Sequence, residues 1–371
     1  MRTKLIGWAV ILAIVMLGVE LVARLIEAGR EQLIAIPAIA KAINETMVLD
    51  PYKVASDRYG GHWGLKPGYT ADSQELVAAK LAVGKVEGGI AIATVPTGRL
   101  AINSQGFKGQ EIDLGHRLRR ILFLGDSVTF GLPGVDYVSL YQENLAARGR
   151  LVEAINGGVE GYWLRNHLLE INRYIALKPD IVVIFAGWND IYGEYPPALS
   201  SSFATIRLLE QVGRLLARLG SDDKTRARAL LNKRKRLDPT DPILGRLQHD
   251  TPLFLERTKQ LGDSLSKNGA RVVLATLPGL YMPDQIPDGA TLAKGHLPQW
   301  TDNPLALAIV TDRANQNLRE LAVSRGWKLL DLEAWSREAL VPRDRYFVDS
   351  VHLTADGYRL MGRHLADSLS P

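Results

Sequence analysis

Residues 120–131 read RILFLGDSVTFG, an apolar run that ends in glycine, aspartate and serine. The run Ile121–Leu124 has the length and composition of a buried strand. Residues 125–127 form a tight-turn sequence, and a helical pattern resumes at about Asp136. A strand, a turn and a helix in this order place the hydroxyl group of Ser127 at the carboxyl end of the strand.

Four more short apolar runs follow, with amphipathic stretches between them. They are residues 152–155, 181–185, 272–276 and 328–331. This alternation predicts a parallel five-stranded sheet with helices on both faces, which is an α/β fold. Ligands of such sheets bind beyond the carboxyl ends of the strands, so the residues just after each run are candidates for a functional site.

Two of these runs end in residues that can donate hydrogen bonds. Residues 156–161 read NGGVEG, and glycines at a strand end let a backbone N–H approach a substrate oxygen closely. Residues 186–190 read AGWND, so Asn189 brings a primary amide with two donor hydrogens to the same edge as Ser127. The two segments are therefore candidates for stabilising a negative charge.

A carboxylate and an imidazole lie close together near the C-terminus. Residues 349–352 read DSVH and precede a helix that we expect to begin near Thr354. The three-residue spacing lets Asp349 reach one ring nitrogen of His352 while the other points outward. The remaining histidines are interpreted as ordinary surface or core residues: His62, His116, His167, His249, His296 and His364.

The blocks GDSVTFG, NGGVEG, GWND and DSVH together resemble the four defining blocks of the SGNH hydrolase (GDSL-type) superfamily. The resemblance covers about residues 120–370 and implies a flavodoxin-like, three-layer α/β/α fold with a mostly parallel five-stranded sheet. It implies that Ser127 is the nucleophile, that His352 is the general base and acid, and that Asp349 orients His352. The implied oxyanion-hole donors are the backbone N–H groups of Ser127 and Gly161 and the side chain of Asn189.

The chemistry implied by the resemblance is acyl transfer through a covalent acyl-enzyme on Ser127. We expect a serine esterase that hydrolyses an acyl ester, such as an acetyl ester, on a cell-envelope glycan or lipid. Attack by a sugar hydroxyl in place of water would make the same residues an O-acyltransferase in extracellular polysaccharide assembly. A non-catalytic envelope binding protein is the third hypothesis.

The composition limits the other classes of function. The chain has no cysteine, which excludes a thiolate nucleophile, a disulfide and a cysteine-ligated metal. The sequence shows no compact cluster of His, Asp and Glu with metal-ligand spacing, so neither a metal nor another cofactor is expected. The 45 basic and 40 acidic residues give a diffuse charge of +5, and no nucleic-acid partner is expected.

The N-terminal segment resembles a membrane anchor in its hydropathy. Two basic residues precede a charge-free run, Leu5–Val19, which is followed by Glu20 and Arg24. We expect an uncleaved transmembrane helix within residues 1–30, with Glu20 and Arg24 paired on one helical face. The positive-inside rule then puts the rest outside the cytoplasm, in the periplasm of a two-membrane bacterium. The alternatives are a signal peptide cleaved near residues 38–40 and a buried or interfacial helix.

The rest of the chain divides into a lead-in and a catalytic domain. Residues 31–115 are predicted to form a stalk and a small β-rich lead-in without chemistry of its own, and residues 116–371 the catalytic domain. Residues 102–109 (INSQGFKG) resemble a lead-in of membrane-anchored bacterial members of the superfamily. A basic helical insertion at about 193–250 is interpreted as a solvated helix face, or as a docking surface for anionic lipid or polysaccharide. The long connection 278–304 either shapes the substrate pocket or makes a surface excursion.

Overall fold

The computed structural model describes residues 2–47, 49–82, 97–219 and 234–369. The strands are β1 Lys53–Ala55, β2 Trp63–Leu65, β3 Thr70–Asp72, β4 Arg99–Ala101, β5 Arg119–Gly125, β6 Val152–Gly158, β7 Ile181–Phe185, β8 Arg271–Ala275 and β9 Lys328–Leu330. The helices are α1 Arg2–Ala28, α2 Arg30–Ile34, α3 Pro37–Glu45, α4 Ser73–Ala82, α5 Ser127–Phe130, α6 Tyr137–Ala146, α7 Leu164–Leu169, α8 Ile171–Ala176, α9 Trp188–Gly193, α10 Ala204–Leu219, α11 Ile243–Leu247, α12 Phe254–Lys267, α13 Gly289–Lys294, α14 Pro304–Arg325, α15 Leu332–Ala339, α16 Arg343–Tyr346 and α17 Ala355–Ser368.

The central sheet has the strand order β6-β5-β7-β8-β9, and all of its neighbouring strands pair in parallel. The predicted five-stranded parallel sheet is therefore confirmed. Gly125 at the end of β5 pairs with Gly158 of β6 on one side and with Phe185 of β7 on the other. This register brings the segments after β5, β6 and β7 to one edge of the sheet.

The side chains of β5 are apolar on both faces of the sheet, so helices must cover both faces to bury them. Ile121, Leu122, Phe123 and Leu124 are fully buried, although successive side chains of a strand point to opposite faces. The ring of Phe123 packs edge-on against Tyr137 of α6, at 5.8 Å between centroids. A strand buried on both faces is what a parallel sheet between two helical layers requires.

Side-chain caps fix where two of the helices begin. The carboxylate of Asp136 accepts hydrogen bonds from the backbone N–H groups of Val138 and Ser139 at the start of α6. The hydroxyl group of Thr354 accepts one from Gly357 at the start of α17. Both helix starts agree with the sequence-based prediction, because capping is a local property of a few residues.

The lead-in forms two small antiparallel sheets, β1-β2 and β3-β4, and also contains helices α2, α3 and α4. Its apolar side chains form a second core that is distinct from the main one. Phe130, Val159 and Tyr162 join this second core, although they come from the segments after β5 and β6. The lead-in therefore packs directly on the carboxyl edge of the central sheet.

The predicted membrane anchor is wrong, because none of the helices that the structure describes is long and apolar enough to cross a membrane. At 1.5 Å per residue the charge-free run Leu5–Val19 reaches only about 22 Å, less than the hydrocarbon core of about 30 Å. Beyond the run, the Glu20 carboxylate accepts hydrogen bonds from the backbone N–H groups of Ala204 and Thr205, at 2.8 and 3.0 Å. This part of α1 thus packs on α10, and the predicted location outside the cytoplasm loses its basis.

The predicted basic insertion contains α10 and α11, and most of its basic run lies outside the described residues. Lys235 and Arg236 are among the basic residues of the insertion that the structure describes. Lys235 donates to the backbone oxygen of Leu292 at 2.5 Å. Arg236 forms ion pairs with Asp238 and Asp241 at 2.6 and 2.7 Å. Both side chains are bound by the protein itself.

Candidate active site

Ser127, His352 and Asp349 form a continuous hydrogen-bonded chain at the carboxyl edge of the sheet. The Ser127 Oγ lies 2.7 Å from Nε2 of His352, and Nδ1 of the same ring lies 2.7 Å from Oδ2 of Asp349. Ser127 begins α5 directly after β5, and the other two residues lie on the loop before α17. In this arrangement a neutral imidazole can accept the serine proton while the carboxylate stabilises the imidazolium.

The loop fixes the orientation of the Asp349 carboxylate. Its Oδ1 accepts hydrogen bonds from the backbone N–H groups of Val351 and His352, at 2.9 and 2.8 Å. These two bonds leave Oδ2 facing the ring of His352. The three-residue spacing thus sets both the backbone turn and the direction of the carboxylate.

The charges of this pair shift both of its pKa values. Burial opposes ionisation of Asp349, but the His352 ring and the backbone N–H groups hold the pKa of that carboxyl well below its usual range. Burial also lowers the pKa of His352, but the negative charges of Asp349, Asp126 and Glu160 outweigh it and raise that pKa to about 9. The imidazolium is thus strongly stabilised in the resting site.

We predict that kcat/KM for ester hydrolysis rises with pH up to about 9, because only a neutral His352 can accept the proton of Ser127. The charged and titratable groups that face the ring are Asp349 on its own loop, Asp126, Glu160 and His296. A pH–rate profile on p-nitrophenyl acetate, corrected for spontaneous hydrolysis, measures the midpoint. Glu160→Gln should lower it. A wild-type midpoint at the ordinary histidine value of about 6.5 would contradict the prediction.

The expected oxyanion donors Gly161 and Asn189 lie on two segments that are hydrogen-bonded to each other. Asn189 Nδ2 donates to the backbone oxygen of Tyr162 at 2.9 Å. A primary amide carries two hydrogens, so the second remains able to donate to another acceptor. The two segments follow β6 and β7, which flank β5. The strand order thus brings them to both sides of Ser127.

Gly161 is held in a conformation and a space that favour glycine. Its φ is +81°, in the left-handed region. A Cβ atom at this position would lie 3.0 Å from Cζ2 of Trp63. The indole of Trp63 thus borders the loop that presents the Gly161 N–H group.

Residues of the lead-in contact this loop, and no pattern in the sequence predicts these contacts. Trp63 Nε1 donates to the backbone oxygen of Glu160 at 3.3 Å, across 97 positions of sequence. Tyr52 donates through its hydroxyl group to the Glu160 carboxylate, across 108 positions. No periodicity or spacing within one sequence can reveal contacts at such a separation. The only indication of these contacts in the sequence is the aromatic composition of the lead-in.

The long connection 278–304 comes close to the triad at one residue. His296 lies in it, and its Nδ1 is 3.9 Å from Oδ2 of Asp349. Its backbone oxygen accepts a hydrogen bond from the hydroxyl group of Tyr192 at 3.1 Å. Trp300 Nε1 donates to the backbone oxygen of Ile191 at 2.9 Å. The connection is thereby tied to α9, the helix that contains Asn189.

Two buried carboxylates next to the site accept hydrogen bonds from backbone N–H groups. Asp126 accepts from the backbone N–H of Val128 at 3.0 Å, and burial raises its pKa to about 6. Asp190 accepts from the backbone N–H of Leu164 at 3.0 Å and contacts Arg257 at 3.2 Å; burial raises its pKa to about 7. Within the described residues, no group of three or more His, Cys, Asp or Glu is placed to hold a metal ion.

Comparison with known proteins gives one family and a set of solved structures. The GDSL-like lipase/acylhydrolase family matches residues 123–360. An acetyl xylan esterase from Geobacillus stearothermophilus is 17% identical over 67% of this chain and 93% of its own, with a TM-score of 0.43. A lipase/acylhydrolase from Enterococcus faecalis is 18% identical over 68% of this chain and 98% of its own, with a TM-score of 0.39. A comparison with curated proteins found no match.

Proposed function

The chain belongs to the GDSL-like lipase/acylhydrolase family and is a serine esterase, and we therefore propose that it hydrolyses a short acyl ester through an acyl-enzyme on Ser127. The observation that carries this proposal is the chain of contacts from Asp349 through His352 to Ser127, at 2.7 Å for each step. It supports the role of Ser127 as nucleophile, of His352 as general base and acid, and of Asp349 as the group that orients the ring.

In the proposed reaction, His352 Nε2 takes the proton of Ser127 as Oγ attacks the ester carbonyl carbon. The tetrahedral intermediate collapses, the C–O bond to the alcohol breaks, and the alcohol leaves with the proton from His352. A water molecule then attacks the acyl-enzyme, again giving its proton to His352. The acid leaves, and Ser127 regains its hydroxyl hydrogen.

Negative charge develops on the former carbonyl oxygen in both steps. The backbone N–H groups of Ser127 and Gly161 and the side chain of Asn189 are the proposed donors to that oxygen. Removing one such donor from another serine hydrolase lowers the rate by about 100- to 1000-fold. The hydrogen bond from Asn189 to the Tyr162 backbone, at 2.9 Å, holds two of the three donors together.

We infer a short acyl group from the large side chains next to the proposed donors. The indole of Trp63 stands against Gly161, and Trp188, which is 4% exposed, directly precedes Asn189. Bulky rings next to the donors favour a short acyl chain over a long one. The expectation of a cell-envelope glycan or lipid rests on membrane location alone, and it loses that basis with the anchor.

The test is hydrolysis of p-nitrophenyl esters from acetyl to dodecanoyl by the full chain, by Ser127→Ala and by Ser266→Ala. Ser266 is exposed at the end of α12, so its variant is a matched control. We expect wild type and Ser266→Ala to hydrolyse the acetyl ester fastest, and Ser127→Ala to be inactive. Equal rates in Ser127→Ala and wild type would contradict the proposal. Faster p-nitrophenol release with an added sugar, accompanied by a new sugar ester, would assign acyl transfer.

A further inference from the structure

The side chain of Glu160, next to the proposed donor Gly161, is bound by the lead-in. Its Oε2 accepts a hydrogen bond from the hydroxyl group of Tyr52, and Lys53 Nζ lies 3.3 Å from the same oxygen. Lys53 also pairs with Asp50 at 2.8 Å, and the two side chains are only 8% and 5% exposed. A hydrogen-bonded charge network this buried fixes geometry more firmly than exposed ion pairs do.

The backbone of the same loop is held from the other side by Trp63. The Trp63 Nε1 donates a hydrogen bond to the backbone oxygen of Glu160 at 3.3 Å. The backbone oxygen of Trp63 accepts a hydrogen bond from the hydroxyl group of Tyr162. The ring edge of Trp63 lies 3.0 Å from where a Cβ atom of Gly161 would be. The lead-in is thus hydrogen-bonded to Glu160 and Tyr162 and lies next to Gly161.

This contact reaches the second donor as well. Asn189 donates to the backbone oxygen of Tyr162, so a shift of the loop also moves the partner that orients the amide of Asn189. Donors stabilise an oxyanion only at about 2.7–3.1 Å. A misplacement of about 1 Å can cost a catalytic site about 100-fold in rate. Small movements of the lead-in should therefore change the rate.

We propose that Tyr52 and Trp63 are positioning residues of the esterase reaction, which fix the loop 160–162 so that the Gly161 N–H and the Asn189 amide face the substrate oxygen. The inference rests on the proposed function, because an oxyanion hole acts only on a tetrahedral intermediate. Both residues precede the family-matched segment, which begins at residue 123. The lead-in is therefore a part of the active site that the family domain alone does not supply.

The test uses the full chain with Tyr52→Phe, which removes one hydroxyl group, and Trp63→Phe, which removes the indole N–H and the outer ring. We expect kcat on p-nitrophenyl acetate to fall about 10-fold in each, with KM changed by less than about 2-fold. Inhibition by methylboronic acid, which forms a tetrahedral adduct on a nucleophilic serine, should weaken by the same factor. Thermal unfolding measures the folded fraction of each variant.

Tyr69→Phe is the matched control. Tyr69 packs on the ring of Tyr52, with centroids 6.1 Å apart, and none of the described hydrogen bonds joins it to the loop 160–162. The Tyr69→Phe variant should have the same kcat and the same affinity for methylboronic acid as wild type. If a lead-in variant fails to fold, Glu160→Gln replaces it, because it keeps the size of the side chain and removes the charge that Tyr52 and Lys53 bind; its kcat is then compared with wild type at the plateau of each pH profile, since the substitution should also lower the midpoint.

The outcomes separate this inference from the proposed function. Hydrolysis by wild type that does not depend on Ser127 would overturn both. Hydrolysis that depends on Ser127, with kcat and boronic acid affinity unchanged in Tyr52→Phe and Trp63→Phe, would overturn only the positioning role. A fall in kcat that matches the loss of folded protein, at unchanged boronic acid affinity, would assign the lead-in a structural role alone.

Discussion

Replacing Ser127 and His352 together with alanine should slow ester hydrolysis no more than replacing either one, with kcat about a million-fold below wild type in all three variants. The reason is the single 2.7 Å contact between Ser127 Oγ and His352 Nε2. The hydroxyl group is a poor nucleophile until the ring takes its proton, and the ring has no other proposed task in the attack. The two side chains therefore act as one unit, and the effects of losing them do not add.

The measurement is kcat on p-nitrophenyl acetate for the two single variants, the double variant and wild type. Thermal unfolding shows whether each variant is folded. His364→Ala is a matched control, because His364 lies on α17 against Trp335, with ring centroids 4.7 Å apart. Additive losses, with the double variant far slower than either single one, would mean that the two residues work independently.

Asp349→Asn should lower kcat by about 10,000-fold without changing the fold, by analogy with the same substitution in an Asp–His–Ser triad of another protein. The geometry of the loop explains why. The backbone N–H groups of Val351 and His352 both bind Oδ1, so the amide oxygen of an asparagine would take that position. Its NH₂ group would then face Nδ1 of His352. The neutral ring would then carry its hydrogen on Nε2. That nitrogen could not accept the proton of Ser127.

Two measurements on Asp349→Asn distinguish this tautomer effect from a loss of structure. The residual activity should have a lower pH midpoint than wild type, because the carboxylate that raises the pKa of His352 is gone. Asp356→Asn is the matched control, since Asp356 is 57% exposed and pairs with Arg359 on the surface. A loss of less than about 10-fold in Asp349→Asn would show that the ring does not depend on this carboxylate.

The parts of the fold that depend on local sequence could be predicted from it. The run 121–124 lies within β5, and the run 181–185 coincides with β7, because both runs are apolar and each is followed by a glycine-containing turn. Asp136 and Thr354 cap the helices that were expected to begin there. The DSVH block places a carboxylate and an imidazole within reach of each other by its spacing alone.

The parts of the fold and of the site that depend on contacts between residues distant in sequence could not be predicted. Hydropathy predicts a membrane anchor in the N-terminal run because it depends only on the local sequence. Glu20 binds the backbone of Ala204, which is 184 positions away. Tyr52 and Trp63 likewise contact the loop 160–162 across about a hundred positions, and nothing near them in the sequence predicts it.

The distance in sequence between Ser127 and His352 also has a consequence for the growing chain. The two residues are 225 positions apart, and the ribosome delivers the lead-in, Ser127, Gly161 and Asn189 long before it delivers His352. Domains tend to fold as they emerge, from the N-terminal side. A nascent chain can therefore carry its serine and its donors for most of translation without a base. If His352 is the base, as proposed, ester hydrolysis begins only when synthesis has passed His352.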